Sequence, residues 1–551
     1  MPKLLSKSKL VAFRLCPKRL WLAVNRPSLR EVSDATARNF DAGHQVGAVA
    51  RRVYDARERG TLVDIDDLGF AGALRRSRAL LGAKSPQPVF EAGFAAAGVL
   101  AFADVMLPAT RPRSGMPPER STSWRMIEVK STTTLKDYHR DDVAIQTFAA
   151  LQSGIELSAV AVAHLNKGSV YPGDRNYGGL FCEVDLTAEV MTRQAEVAEW
   201  VDDAHRFSQR QREPRQAMGA QCAEPFECAY RAHCEARTPP VKAAKYPVIW
   251  LPQVRTTALK ERIAALSAQA RAPDMRHIDD SLLSTEQLRV KTATLAGKVA
   301  FDRRKSRAAL APHGEAPTFL DFETIAFAVP RWAGTTPWQQ VPFQFAAHRV
   351  EADGTLSEHG HLDLTGNDPR PGLVRALVHT FGGTHRARPV FAYNAGFERT
   401  CLEQLAAAVP RHRRELLDIA ARLVDLLPVT RAHYYHPAQC GSWSIKQVLP
   451  TIAPDLDYQA LDGVQHGQAA QDVYLEAIAA ETSEQRRTQI DAQLRDYCAL
   501  DSYAMVRLWA KLAGRTVPAW PSGWRPTSSS TSSRRPRTRP APPGRGPHRT
   551  C

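Results

Sequence analysis

Thr318-Phe319-Leu320-Asp321-Phe322-Glu323 reads as a buried strand. Period-two alternation places Asp321 and Glu323 on one face and Leu320 and Phe322 on the other. Two neighbouring carboxylates repel. A divalent cation between them removes the conflict, because hard ions such as Mg2+ or Mn2+ take carboxylate oxygens and keep waters for chemistry. Two further motifs lie downstream. Asn394-Ala395-Gly396-Phe397-Glu398 follows the apolar run Val390-Phe391-Ala392-Tyr393 and opens a helix from Phe397, so Glu398 falls in its first turn, at a strand end. Between Ile490 and Leu508, the residues Ile490, Leu494, Tyr497, Asp501, Met505 and Leu508 recur at helical spacing, which puts Tyr497 and Asp501 on one face. Singly, each motif reads more simply as a solvated carboxylate pair or a helix-face tyrosine. Together and in this order they describe a two-metal nuclease site.

The stretch from about Pro317 to Ala513 resembles the DEDD exonucleases of the DnaQ-like, RNase H-like superfamily, in the branch whose last motif is Tyr-x-x-x-Asp. The resemblance implies that Asp321, Glu323 and Asp501 hold the metals of a 3′–5′ exonuclease while Tyr497 orients the attacking water. It also implies a ligand at Glu398, where the family carries aspartate and this chain a longer arm. Asp425, in Ala421-Arg422-Leu423-Val424-Asp425-Leu426-Leu427, is a further carboxylate candidate that equally suits a local cap or ion pair.

A second constellation occupies the other half. Of nine cysteines, Cys222, Cys228 and Cys234 form C-x5-C-x5-C, while Cys16 stands alone in Arg14-Leu15-Cys16-Pro17-Lys18-Arg19. Three clustered thiols and a distant fourth can clamp the ends of one domain around a soft metal centre. Zinc and an iron-sulfur cluster both accept four thiolates, and a spacing of five is looser than the C-x2-C of common zinc modules, which leans towards iron-sulfur. The other cysteines, Cys498 among them, read as small core or surface residues. Between the cysteines, Asp104 follows the apolar run Gly98 to Ala103, and Trp124-Arg125-Met126-Ile127-Glu128-Val129-Lys130 reads as a strand with Glu128 and Lys130 on one face. Two chemistries suit that pattern. Asp104 and Glu128 would bind a metal while Lys130 stabilises a charged phosphate transition state, or Glu128 and Lys130 form an exposed ion pair.

Leu4 to about Glu235 resembles the RecB-like PD-(D/E)xK nucleases of the iron-sulfur type. The resemblance implies that Cys16, Cys222, Cys228 and Cys234 bind a [4Fe-4S] cluster, with Zn2+ as the alternative. It further implies that His44, in Gly43-His44-Gln45-Val46-Gly47, is an upstream metal ligand and that Gln146 is the glutamine of a Gln-x-x-x-Tyr motif whose tyrosine is here Ala150. The whole chain resembles a bacterial family that fuses such a domain to a DEDD-type domain.

Length and composition agree with several cores. At 551 residues the chain divides into residues 1–240, a RecB-like domain; 241–316, a helical connector; 317–515, an exonuclease-like domain; and 516–551, a Pro/Ser/Arg-rich tail without apolar periodicity, expected to be disordered. The fold class expected is α/β multidomain, a restriction-endonuclease-like domain followed by an RNase H-like one. Residues 1–240 are expected to mix helices with a short strand pair. The longest apolar stretch, Phe94 to Ala109, is too short to span a bilayer and is broken by Asp104, and the first residues lack a secretory signal, so a cytoplasmic protein with no membrane partner is expected. The formal charge of +16 includes seven arginines in residues 521–551; without them it is 16 − 7 = +9, still suited to a polyanion.

The expected function is therefore a metal-dependent nuclease acting on DNA or RNA, with one exonuclease-like and one RecB-like centre. The alternative is a nucleic-acid-binding or scaffold protein in which one or both centres are inactive.

Overall fold

The computed structural model describes residues 4–31, 34–109, 123–238, 244–268 and 272–518. Residues 110–122, between the Asp104 and Glu128 strands, and the tail beyond residue 518, lie outside the described residues. The architecture is mixed α/β in two compact units: Met1–Lys242 with Ile325–Gln340, and Ala243–Thr324 with Val341–Cys551. No helix among the described residues is long and apolar enough to cross a membrane.

The N-terminal unit is built on a seven-stranded sheet. Its order is Thr61–Leu62, Val89–Ala96, Val99–Ala109, Ser123–Lys130, Leu157–Leu165 and Phe181–Asp185, with Leu5–Ser6 added parallel to Val99–Leu100. A strand pair alone was expected here. The strand at Trp124–Lys130 is legible, but the hairpin beside it is not, because Ala92 to Ala103 is rich in alanine and glycine, whose β preference is weak. The apolar stretch Phe94 to Ala109 is in fact a hairpin: Ala97 and Gly98 both take positive φ, and Ala96 pairs with Val99, as in a two-residue turn that follows the strand twist. Ser123–Lys130 and Leu157–Leu165 run parallel, joined across the sheet by the helix Asp137–Gln152. That helix is buried along most of its length, with Val143, Ile145, Phe148 and Ala149 in the main core. Each large apolar side chain of this kind stabilises the fold by about 1.5–3 kcal/mol.

The C-terminal unit has a five-stranded sheet in the order Leu356–Leu362, Val341–Val350, Thr318–Ile325, Val390–Ala392, Leu423–Asp425. Thr318–Ile325 lies parallel to Val390–Ala392, which lies parallel to Leu423–Asp425. Every residue of Val341–Val350 is buried, because both faces of the strand are covered. The helix Glu484–Ala513 supplies one cover: Leu494 O accepts from Gln344 Nε2 (2.9 Å), and Ser502 Oγ meets His348 Nδ1 (2.8 Å). Ser483 caps the start of this helix, and Gly514, at φ 66, ends it in the left-handed conformation that glycine adopts without strain.

Two segments fall differently from the boundaries drawn on sequence. The stretch expected as a connector groups with the C-terminal unit, since Ala300–Phe301 pairs with Tyr434–Tyr435 and Ser306 Oγ donates to Leu512 O (2.8 Å). Ile325–Gln340, which follows the Asp321–Glu323 strand directly, groups with the N-terminal unit. There Gly334 N donates to Tyr171 O (2.7 Å), Tyr171 N donates to Thr335 O (2.9 Å), and Ala328 packs with Val46, Val49, Leu165 and Leu180.

Candidate metal centres

In the C-terminal unit the strand Thr318–Ile325 turns Leu320 and Phe322 into the core and leaves Asp321 and Glu323 on the opposite face, as alternation predicts. The helix Glu484–Ala513 brings Tyr497 and Asp501 to the same place, on the buried face shared with Ile490, Leu494, Met505 and Leu508. Glu398 enters from the first turn of Gly396–Ala408. Burial, then the charges of Asp501, Glu323 and Glu398, push the Asp321 pKa well above the carboxylate range. Burial and Asp501 do the same to Glu323, and burial raises Asp501. Burial, with Asp425 adding, pushes Glu398 up to about 8. Glu398 is only 4% exposed, and its Oε2 has no hydrogen-bond partner. Buried carboxylates facing one another with an orphaned oxygen are a fit for a divalent cation, which would satisfy lone pairs and charge together.

Three side chains at this centre were not read from sequence. Cys498, set aside as a plain core residue, is buried and also lies with Asp321 and Glu323 in a group whose ligand atoms fall within 4.8 Å of one another. Its thiol reaches Asp321 Oδ2 at 3.7 Å. Lys446 donates to the Tyr497 hydroxyl (2.8 Å) and stands over the rings of Tyr458 and Tyr497 at 4.7 and 4.9 Å. Tyr458 donates to Asp501 Oδ1 (2.5 Å). Neither Lys446 nor Tyr458 belongs to a motif, so no local signal marks them. Asp425 is a helix cap: its Oδ1 accepts from Leu427 N and from Asn394 N, both at 2.9 Å. The cap ties the Glu398 loop to the neighbouring strand end.

The N-terminal centre is built differently. Asp104 on Val99–Ala109 and Glu128 and Lys130 on Ser123–Lys130 meet as expected, with Val129 N donating to Asp104 Oδ2 (2.6 Å). They are joined by Lys7 and Asp142, which sequence reasoning missed. Glu128 Oε1 accepts from both Lys7 and Lys130 at 2.7 Å, and Asp142 Oδ2 accepts from Lys130 at 2.5 Å. Burial opposes the charge of Lys130, but Asp142, Glu128 and Asp104 outweigh it and hold the ammonium pKa well above its usual value. Burial opposes the charge of Asp142 too, yet Lys130 and Lys7 keep its pKa low. Asp104 is raised well above its usual value by burial and by Glu128. Glu128 Oε2 is buried without a hydrogen-bond partner, so a ligand oxygen remains here as well.

The remaining expected residues divide. Gln146 is at the centre, but its amide is engaged: Nε2 donates to Phe102 O (2.9 Å) and Oε1 accepts from Lys7 (3.4 Å). His44 lies exposed on the helix Asp34–Tyr54, near enough for its charge to be felt at Glu91. Ala150, where the tyrosine of the motif would stand, is fully buried in the core. Cys16 sits between the helices Lys7–Leu15 and Pro17–Asn25, and Cys228 and Cys222 come close enough to raise its thiol pKa, after burial; the same two raise that of Cys234, again after burial. Trp21, Leu22 and Tyr230 pack with Cys228 and Cys234, so the two ends of the domain meet at the cysteines.

A family profile described as a domain of unknown function (DUF2779) matches residues 318–444, which include Asp321, Glu323 and Glu398 but not Tyr497 or Asp501. No curated protein matches the chain.

Proposed function

We propose that the protein is a divalent-metal-dependent nuclease. Its C-terminal centre would remove nucleotides from the 3′ end of DNA or RNA, and its N-terminal centre would be a second, RecB-like hydrolytic site. The observation that carries this reading is the convergence of Asp321, Glu323, Glu398 and Asp501 from three separate elements into one buried carboxylate group beside a lysine-held tyrosine. Asp321, Glu323, Glu398 and Asp501 would hold Mg2+ or Mn2+, which supplies Lewis acidity and lowers the pKa of bound water. Lys446 fixes the Tyr497 hydroxyl at a defined point, and that hydroxyl can orient a water or phosphate oxygen. In the N-terminal centre, Asp104 and Glu128 would hold the metal while Lys130 offers a buried cation to phosphate. The mixed α/β units with carboxylates at strand positions support, by analogy, an RNase H-like and a PD-(D/E)xK fold.

For Cys16, Cys222, Cys228 and Cys234, a [4Fe-4S] cluster is the assignment we favour over Zn2+. The C-x5-C-x5-C spacing, looser than the C-x2-C of common zinc modules, supports it. Anaerobic purification and metal analysis test this directly: stoichiometric zinc without iron or sulfide would remove the cluster.

The nuclease reading is tested with Mn2+ and strands labelled separately at each end, comparing wild type with Asp321→Ala and Lys130→Ala. Undiminished 3′ degradation by Asp321→Ala would remove the C-terminal assignment. A second reading, a nucleic-acid-binding or scaffold protein, draws on the N-terminal centre, where Lys7 and Lys130 already neutralise Glu128 and Asp142. No hydrolysis of DNA or RNA under any divalent metal would favour it.

A further inference from the structure

Lys130 ends the strand Ser123–Lys130, and the next residue, Ser131, gives its carbonyl to a tryptophan from a distant part of the chain: Trp338 Nε1 donates to Ser131 O at 2.8 Å. Trp338 belongs to Ile325–Gln340, the segment that groups with the N-terminal unit. Two features set it apart from a packed core aromatic. It is 39% exposed, and its φ of 58 places a bulky side chain in the left-handed region. That backbone is unfavourable for tryptophan, and such strain persists only where the surroundings over-determine it, most often at functional sites. The over-determination is visible: besides the indole bond, Trp338 N donates to Phe327 O at 2.8 Å.

Aromatic side chains also border the Lys130 centre. Tyr138, half-buried, lies close enough to Lys130 and Asp142 for both to act on its phenol. Its ring meets Phe226 edge-on at 5.7 Å; Phe226 is itself exposed, and the Arg19 guanidinium covers it at 4.7 Å. An exposed ring such as Trp338 near cations is how sequence-tolerant strand binders hold bases and backbone. A duplex keeps its base faces stacked internally, so an isolated indole face offers it far less.

We propose that Trp338 is a base-stacking residue of the N-terminal centre, holding an unpaired nucleotide of a single strand beside Lys130. The inference rests on the nuclease reading of that centre. Trp338 binds substrate and takes no part in bond cleavage, and its indole N–H anchors the ring.

The test uses the full-length protein with Ca2+ in place of Mn2+. It measures the Kd of a fluorescent single-stranded oligonucleotide, the same strand carrying abasic positions, and the corresponding duplex. Wild type should prefer the intact strand to the abasic one. Trp338→Ala should bind the intact strand roughly ten-fold more weakly, the scale of one lost base stack, and no longer distinguish the two. Trp338→Phe keeps a stacking face but loses the bond to Ser131, so it should retain most of the preference. If Phe fails as Ala does, the indole anchor alone matters and the stacking role is overturned. Wild-type affinity and abasic discrimination in Trp338→Ala, with Lys130-dependent cleavage intact in Mn2+, overturn this inference and leave the nuclease reading standing. Failure of the wild type to bind or cut any strand overturns both.

Discussion

The two carboxylate centres of this chain answer the same electrostatic problem in opposite ways. In the N-terminal centre the neutralising cations are covalent parts of the protein: Lys7 and Lys130 share Glu128 Oε1, and Lys130 also holds Asp142. In the C-terminal centre Asp501, Glu323 and Glu398 all act on Asp321, and Lys446, which donates to the Tyr497 hydroxyl, offsets burial at Glu323 and Asp501 only in part. In the first centre Glu128 and Asp142 are paired by lysines, while Asp104 remains raised by burial and by Glu128. In the second the carboxyl pKa values stay raised despite Lys446, Tyr458 and Tyr497, so protons or a metal would lower its energy further. Buried carboxylates in similar surroundings therefore acquire different tasks, according to whether a lysine or an external ion satisfies them.

The comparison can be broken at several points. The largest effect expected is on catalysis: in a Lys130→Ala background, Asp321→Ala should reduce Mn2+-dependent 3′ hydrolysis by about a thousand-fold, measured under single turnover. A smaller loss would mean that the C-terminal carboxylates do not carry the reaction. Next in size is stability. Lys130→Met leaves Glu128 and Asp142 short of a buried partner and should destabilise the N-terminal unit by roughly 3 kcal/mol in urea unfolding. Asp321→Asn removes a repelling charge from the other centre and should leave the metal-free protein as stable or more so. Equal destabilisation by the two variants would erase the contrast.

Lys446→Met should lower turnover at the C-terminal centre by about ten-fold, with little change in KM, because Tyr497 loses the donor that fixes its hydroxyl. A change confined to KM would move Lys446 from positioning to substrate binding. The smallest effect is the pH dependence of the metal-free protein. The Glu398 pKa is raised to about 8 against an ordinary 4.5, so the stability it contributes is present below pH 4.5 and is lost as pH rises through 8. The C-terminal unit should melt a few degrees lower at pH 8.5 than at pH 5.5. Glu398→Gln should flatten that slope, and saturating Mn2+ should remove it by favouring the ionised carboxylate. A slope unchanged by Glu398→Gln would assign it to other groups.

Much of the C-terminal centre was legible in the chain. Alternation in Thr318 to Glu323 and four-residue spacing from Tyr497 to Asp501 are local periodicities, and the strand and helix that formed there obey them. Glu398 in a first helical turn was legible for the same reason. The N-terminal sheet was read less well, since alanine-rich strands are held by their neighbours more than by their own preference. His44 and Gln146, taken from a family pattern, turn out to be an exposed helix residue and an amide already occupied by Lys7 and Phe102.

What sequence by itself determined, then, is which carboxylates face the same way, their order along the chain, and the four cysteines. The tertiary structure alone decided what accompanies them. Lys7 reaches Glu128 across 121 residues, Lys446 reaches Tyr497 across 51, and Trp338 reaches Ser131 across 207. A side chain's face follows from the repeat of its own strand or helix, whereas its partner's identity depends on how distant segments pack, and no local periodicity encodes that.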